Sequence, residues 1–286
     1  MSIASQDVTG DGMPEVFLSS MGDNKLQSLD DGSSGPAYSD VALAAGVTAT
    51  QPYVGDTDLP STAWHADFQD VNNDGFVDLY IAKGNVDAMP DAAANDPNNL
   101  LLGGPAGTFS EAGMEAGIAG FASTRGAAVV DLNLDGMLDL VEVNREAQVA
   151  VWRNIGWGLS DEPRSMGNWL ALRLRQPAPN VDAVGAWIEV RVGDQVMADE
   201  VTIGGGHAGG QLTWIHVGLG RSDEAELRVH WPDGRQSSWF DVGANQFLLV
   251  DRATAAASRR LVPDRAIWEE SEEVVGKRCE CRQPGE

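Results

Sequence analysis

The chain is 286 residues long, with 43 acidic side chains against 19 basic ones and a formal net charge of −24 at pH 7. A surface of that sign repels phosphate backbones and anionic bilayers, so the expectation is no nucleic-acid partner and no membrane insertion. Hydrophobic residues make up 43% of the chain, enough for packed cores, and no apolar run approaches the roughly 18 residues of a bilayer span.

In chain order, the first recognisable element is DVTGDGMPE at Asp7 to Glu15, and it returns as DVNNDGFVD at Asp70 to Asp78 and as DLNLDGMLD at Asp131 to Asp139. The starts lie 63 and 61 residues apart. Each copy runs into a strand-like stretch (VFLSS, LYIAK, LVEVN) and then reaches a second apolar segment (NKLQSL, NNLLLGG, QVAVWRN). Tyr38 to Gly46 and Phe109 to Gly117 are matching aromatic-to-glycine segments. The length differences between copies fall in the turn-rich stretches Gln51 to Pro60 and Asn85 to Pro97. These are repeat units of about 60 residues built from short strands.

Positions 1, 3, 5 and 9 of each loop carry oxygen side chains: Asp7, Thr9, Asp11 and Glu15; Asp70, Asn72, Asp74 and Asp78; Asp131, Asn133, Asp135 and Asp139. Three carboxylates within nine residues repel one another unless a cation sits among them, and an all-oxygen set without His or Cys selects a hard ion. Calcium fits best, because magnesium gives up its waters reluctantly. The glycine at position 6 permits the bend that turns the position-7 carbonyl (Met13, Phe76, Met137) towards the ion. The expectation is two to three calcium ions on these fifteen residues. The third loop also satisfies an EF-hand pattern through Glu142, but AAVVDL before it and DLVEVN after it are strand-like, and an EF-hand needs helices on both sides.

Near Met166 the texture changes to alternating strands: NWLALRLR, GAWIEVRV, QVMADEVTI, TWIHVGLG, AELRVHW, SSWFDV and QFLLVD. Leu170, Leu172 and Leu174 share one face, as do Leu227, Val229 and Trp231. From Ala253 onward the chain turns Arg- and Glu-rich, and its cysteines, Cys279 and Cys281, lie in that tail.

The aspartate loops leading into strands, with the aromatic-to-glycine segments, resemble the FG-GAP or VCBS repeats of integrin-alpha-type β-propellers. The stretch from Asn168 to about Asp251, with NVDAVGAWIEVRVG, GGGHAGGQLTWIHVGLG and WPDGR, resembles the ASPIC/UnbV domain. Together they match the architecture of the cartilage acidic protein family and its bacterial relatives. The resemblance implies an extracellular, periplasmic or cell-surface calcium-binding protein and brings no catalytic residues. The expected fold is all-β: a partial β-propeller of about two to three blades over residues 1–165, a C-terminal antiparallel β-sandwich-like domain over 166–252, and a polar, helical or disordered tail over 253–286. A closed propeller takes about four to eight blades. The favoured expectation is therefore that further blades are missing from the N-terminus, which also accounts for the lack of a signal peptide; pairing of partial arcs between chains is the alternative.

GGGHAG at Gly204 to Gly209 satisfies G-x-G-x-x-G but is followed by a strand-like segment, so it reads as a strand connection rather than a nucleotide loop. His216 and His230 alternate out of phase with the core residues around them, and His65 stands near the second loop as a supporting group at most. The expected function is a non-enzymatic interaction module that recognises a protein or a carbohydrate. The alternative is part of an extracellular enzyme acting on a polymer through Asp182, His207 and Asp233.

Overall fold

Each aspartate loop is the turn of a β-hairpin, flanked by short alternating segments that become strands. The computed structural model describes residues 1–260 except 31–34, 56–57, 87–88, 208, 213 and 255. In the first repeat β1 (Ile3–Gln6), β2 (Glu15–Leu18), β3 (Lys25–Leu29) and β4 (Tyr38–Asp40) form an antiparallel meander, followed by one helical turn, α1 (Ala42–Ala45). The second repeat copies it with β5 (Ala63–Gln69), β6 (Asp78–Lys83), β7 (Asn99–Gly104) and β8 (Thr108–Glu111). The third gives β9 (Thr124–Val130), β10 (Asp139–Asn144) and β11 (Ala150–Trp152). The first strands of the sheets stand side by side, β1 against β5 and β5 against β9.

Eight further strands follow: β12 (Asn168–Arg175), β13 (Trp187–Val192), β14 (Gln195–Glu200), β15 (Ile215–Gly220), β16 (Glu224–His230), β17 (Phe240–Gly243), β18 (Gln246–Asp251) and β19 (Ala256–Arg260). They make two four-stranded sheets, ordered β15-β12-β18-β19 and β14-β13-β16-β17. The described chain is thus all-β with almost no helix, five sheets in a β-propeller arrangement.

Burial explains the order. All six residues of β6 are buried. Leu79 and Ile81 pack with Phe17, Leu26 and Phe68 towards the first sheet, while Tyr80 and Ala82 pack with Val129 and Leu140 towards the third. A strand covered on both sides needs apolar residues at both parities, and each fully buried aliphatic side chain contributes about 1.5–3 kcal/mol. The last two sheets share one core, in which Leu170, Leu172 and Leu174 of β12 meet Ile188, Val190, Leu227 and Val229.

Two expectations are corrected. The C-terminal strands are not all antiparallel: β12 and β18 run parallel, Leu170 opposite Gln246 through Arg175 opposite Asp251. The chain leaves β12 for the other sheet, comes back as β15 antiparallel to β12, crosses again and returns as β18 on the heading of β12, and alternation along a strand is blind to its neighbour's direction. The tail does not start at residue 253, because β19 adds to the edge of β18, Phe247 opposite Arg260 to Asp251 opposite Ala256. Main-chain hydrogen bonding to an open edge needs no apolar pattern. The rest of the expected tail, with Cys279 and Cys281, lies outside the described residues.

The long stretches expected to vary between blades meet at the end of the second sheet opposite its aspartate loop. There Asp96 pairs with Lys83 at 2.9 Å, both fully buried, and accepts hydrogen bonds from Ser61 Oγ (2.8 Å) and the Thr62 N–H (2.7 Å).

Candidate metal centre: three aspartate loops

The three loops repeat one hydrogen-bond plan. The position-1 aspartate closes the turn: Asp70 Oδ1 accepts from the Asp74 N–H (3.1 Å) and Oδ2 from Gly75 (2.8 Å), and Asp131 does the same with Asp135 (3.1 Å) and Gly136 (2.8 Å). In the first loop Asp7 accepts from Gly10 (2.8 Å), Asp11 (3.2 Å) and Gly12 (2.8 Å). In the second and third loops the side chains at positions 3 and 5 also meet. Asn72 Oδ1 also meets the Asp74 N–H (3.0 Å), and the Asn72 amide lies 2.9 Å from Asp74 Oδ2. Asn133 and Asp135 reproduce both contacts at 3.2 and 2.9 Å. The position-5 carboxylate accepts from the N–H of position 7 in all three: Met13 at 2.8 Å, Phe76 at 2.8 Å and Met137 at 3.1 Å.

Two left-handed residues shape each turn. Gly12, Gly75 and Gly136 at position 6 have φ of 84°, 90° and 82°, where a side chain is strained. Position 4 is left-handed as well, with Gly10 at 76°, Asn73 at 60° and Leu134 at 59°, a constraint that the residue types do not announce.

Position 9 departs from the expectation that three carboxylates gather around one point. Glu15, Asp78 and Asp139 are buried first residues of β2, β6 and β10, and each reaches back to the N–H of position 2: Val8 at 3.1 Å, Val71 at 2.8 Å and Leu132 at 3.1 Å. Their other oxygens bond outward, to Ser28 Oγ (3.1 Å), the Gly103 N–H (2.8 Å) and the Asn154 N–H (2.8 Å). Positions 1, 3 and 5 therefore form the open cluster, two carboxylates with one amide or hydroxyl, while position 9 ties the hairpin to the next segment. Accordingly, no group of three His, Cys, Asp or Glu side chains has metal-binding geometry among the described residues. A carboxylate has about four lone-pair sites, so each position-9 group keeps accepting capacity beyond its two hydrogen bonds.

The electrostatics fit a cation. Burial, with the Asp74 charge beside it, pushes Asp70 up to about 7, and burial takes Asp131 up to about 6 with Asp135 adding to it. Asp7, Glu15 and Asp139 are raised mainly by burial, and Asp78 lies well above its ordinary range through burial and then the Asp70 charge. Without a positive partner, the buried members of these loops resist ionisation.

The loops differ in what covers them. Thr9, Asp11 and Met13 of the first are exposed. The second lies under the C-terminal sheets: Asn73 O accepts from the Gly220 N–H (2.9 Å), Asn73 Oδ1 lies 2.6 Å from His216 Nε2, and Gln195 Nε2 donates to Gly75 O (2.7 Å). The third is covered by Trp169, which packs with Leu134 and Phe247. His216, expected on a non-core face, is buried at this junction.

The structure also places the other residues that the sequence singled out. Glu142, the EF-hand candidate, lies inside β10 and accepts from Tyr80 Oη (2.8 Å), Asn98 Nδ2 (2.6 Å) and Trp152 Nε1 (2.9 Å). It joins two blades, and both flanks of its loop are strands. His65 belongs to the first-strand wall of the second sheet, away from the loop oxygens, and its Nδ1 accepts the His207 N–H at 3.2 Å. Asp182 is exposed, and Asp233 pairs with Arg252 at 2.6 Å. Asp182 lines a cavity beside Trp214 to which neither His207 nor Asp233 contributes.

Hairpin-turn aspartate loops on successive antiparallel sheets define a β-propeller repeat protein. Residues 70–142, from the first aspartate of the second loop to Glu142, match the FG-GAP-like repeat, and residues 176–257 match the ASPIC and UnbV family. The chain thus carries an FG-GAP-like repeat followed by an ASPIC/UnbV domain. FG-GAP repeats are typical of extracellular proteins, and no helix among the described residues is long and apolar enough to cross a membrane. No curated protein matches the chain.

Proposed function

We infer that this chain is a calcium-stabilised, non-enzymatic interaction module of the extracellular type, recognising a protein or carbohydrate partner. Two to three calcium ions are held by positions 1, 3 and 5 of the loops, with the carbonyls of Met13, Phe76 and Met137 and the spare lone pairs of Glu15, Asp78 and Asp139. The first three sheets act as blades. The last two form a β-sandwich on a common core. The observation that carries the reading is the threefold recurrence of one turn in which the position-1 carboxylate accepts the position-5 and position-6 N–H groups and the position-5 carboxylate accepts the position-7 N–H, while the buried carboxylates are pushed up by burial and by neighbouring charge.

Calcium would supply the positive charge that lets those carboxylates ionise together. The residues themselves hold the turn shape and join it to the neighbouring strands. A ligand that binds only the folded state stabilises it by RT ln(1 + [L]/Kd), about 2.7 kcal/mol at a hundredfold excess over Kd. Extracellular-type sites have Kd of roughly 0.1–1 mM. The test is thermal unfolding with calcium and with a chelator, together with calorimetric titration of calcium and magnesium. A lower Tm on chelation and calcium heat that shrinks in Asp74→Asn and Asp135→Asn support the reading. An unchanged Tm with no heat at millimolar calcium would overturn it.

A further inference from the structure

Between the first strands of the three repeat sheets and the end of β14 lies a cavity of about 190 Å³. Its wall includes His65, Asp67 and Gln69, alternate residues of β5, facing Asp199 and Gln211 from the C-terminal segment. The Gly204–Gly206 connection closes over it so tightly that a Cβ on Gly206 would lie 2.0 Å from the His65 ring, and Gly206 itself has a φ of 62°.

The polar groups around this space are poorly matched to one another. Asp67 accepts only long contacts, from Gln211 Nε2 (3.3 Å), the Val129 N–H (3.4 Å) and Gln69 Nε2 (3.5 Å). Asp199 Oδ1 accepts its own neighbour's N–H, that of Glu200, at 2.7 Å. No Lys or Arg among the described residues lines the cavity. His65 is 94% buried, and its Nε2 has no hydrogen-bond partner among the described residues. Because Nδ1 accepts the His207 N–H, the ring proton sits on Nε2, a donor without an acceptor. Burial raises Asp67 to about 6 and Asp199 to about 7, the Asp67 charge adding to the second.

We propose that this cavity binds an arginine-like group: a guanidinium placed between Asp67 and Asp199, with an acceptor oxygen on the same molecule taking the His65 Nε2 proton. Alternate residues on a strand lie roughly 7 Å apart, about the distance from an arginine guanidinium to its own main-chain oxygen. A planar guanidinium offers five donors to two under-bonded carboxylates and the neighbouring amide oxygens. A bare divalent ion needs several ligands within about 2.0–2.6 Å, and no group of three His, Cys, Asp or Glu side chains able to hold one occurs among the described residues. A neutral polyol would leave both charges unbalanced. The guanidinium could come from free arginine or from an Arg side chain of a protein partner. This site is separate from the aspartate loops and does not depend on calcium occupying them.

The test is calorimetric titration of the full chain, kept in saturating calcium, with free L-arginine, an N-acetylated Ala-Arg-Ala amide, agmatine and urea. Expected are binding of arginine or the peptide, weaker binding of agmatine because it lacks the oxygen, and no heat from urea. Asp67→Asn and Asp199→Asn should each weaken binding by about tenfold or more. His65→Phe should reduce the affinity for arginine to that for agmatine. Preference for the peptide identifies a protein side chain as the natural occupant, and preference for the free amino acid identifies a small molecule. A shift of the His65 ring nitrogen resonance on adding arginine to unmutated protein gives a second readout should a variant fail to fold. No heat from either arginine form at about 20 mM, or both Asp variants binding like the parent, would overturn the proposal.

Discussion

Asn73 Oδ1 lies 2.6 Å from Nε2 of His216, so a strand of the ASPIC/UnbV segment bonds directly to the turn of the second aspartate loop. The Asn73 amide meanwhile donates to Gly136 O in the third loop (3.0 Å) and to Ser165 Oγ (3.0 Å). One side chain therefore ties two repeats to the C-terminal sheets. Asn73→Ala leaves the buried His216 nitrogen without a partner, at a cost of about 1–3 kcal/mol, and adds the strain of a left-handed alanine. The expected result is a Tm lower by several degrees in thermal unfolding; an unchanged Tm would mean that the junction does not form in solution.

Gly12 and Gly136 occupy the same loop position with nearly the same φ, 84° and 82°, and differ in what surrounds them. A Cβ on Gly12 meets nothing within 4 Å, whereas one on Gly136 would lie 1.9 Å from the Trp169 ring. Gly12→Ala should cost only backbone strain, about 1–2 kcal/mol. Gly136→Ala adds displacement of the indole, about 1–3 kcal/mol more. Chemical denaturation should rank the two in that order, and the Trp169 indole resonance should move in the second variant alone.

Glu142 sets a staple role against a ligand role. Its carboxylate takes three donors from Tyr80, Asn98 and Trp152 in a buried setting. Glu142→Ala strands all three and should cost about 3 kcal/mol or more, while Glu142→Gln keeps one acceptor oxygen and should cost less. Calcium affinity should be unchanged in Glu142→Gln if the residue only joins blades. A calcium titration that weakens tenfold in that variant would make Glu142 a calcium ligand, against the sequence reading that rejects it as one.

The loops were legible in the sequence because their chemistry resides in residue type and spacing: Asp, Asn and Gly at fixed positions within nine residues fix the turn without help from afar. Strand alternation likewise announced β12 and β16. What stayed hidden depends on partners distant in the chain. Position 9 could not be separated from positions 1 and 5 by type, since all are carboxylates; only the returning N–H groups of Val8, Val71 and Leu132 distinguish it. The parallel β12–β18 pair and the edge strand β19 rest on backbone hydrogen bonding, which leaves no side-chain pattern. His65, Asp67 and Gln69 alternate along β5, but the cavity that gives them meaning needs Gln211, 144 residues from Asp67.

The last prediction concerns pH. Asp67 and Asp199 have folded-state values raised to about 6 and about 7, above those of an unfolded chain, so between roughly pH 4 and 7 the folded protein holds more protons than the unfolded one. Their contribution is therefore present at low pH and lost as pH rises through the folded values. His65 and His216 act the other way: burial lowers both to about 4, so the folded state stays neutral where the unfolded state protonates, and their contribution is lost as pH falls from about 6.5 towards 4. The histidines are common to the parent and an Asp199→Asn variant, so their effect cancels in the difference between the two. That difference should be near zero at about pH 4 and should grow in favour of the variant to about 1–2 kcal/mol at pH 8, the full shift being reduced by cavity water. Denaturant unfolding of both proteins at matched pH steps measures it. A variant less stable than its parent at pH 8 would mean that the Asp199 carboxylate is stabilised by a positive partner instead of being penalised by burial.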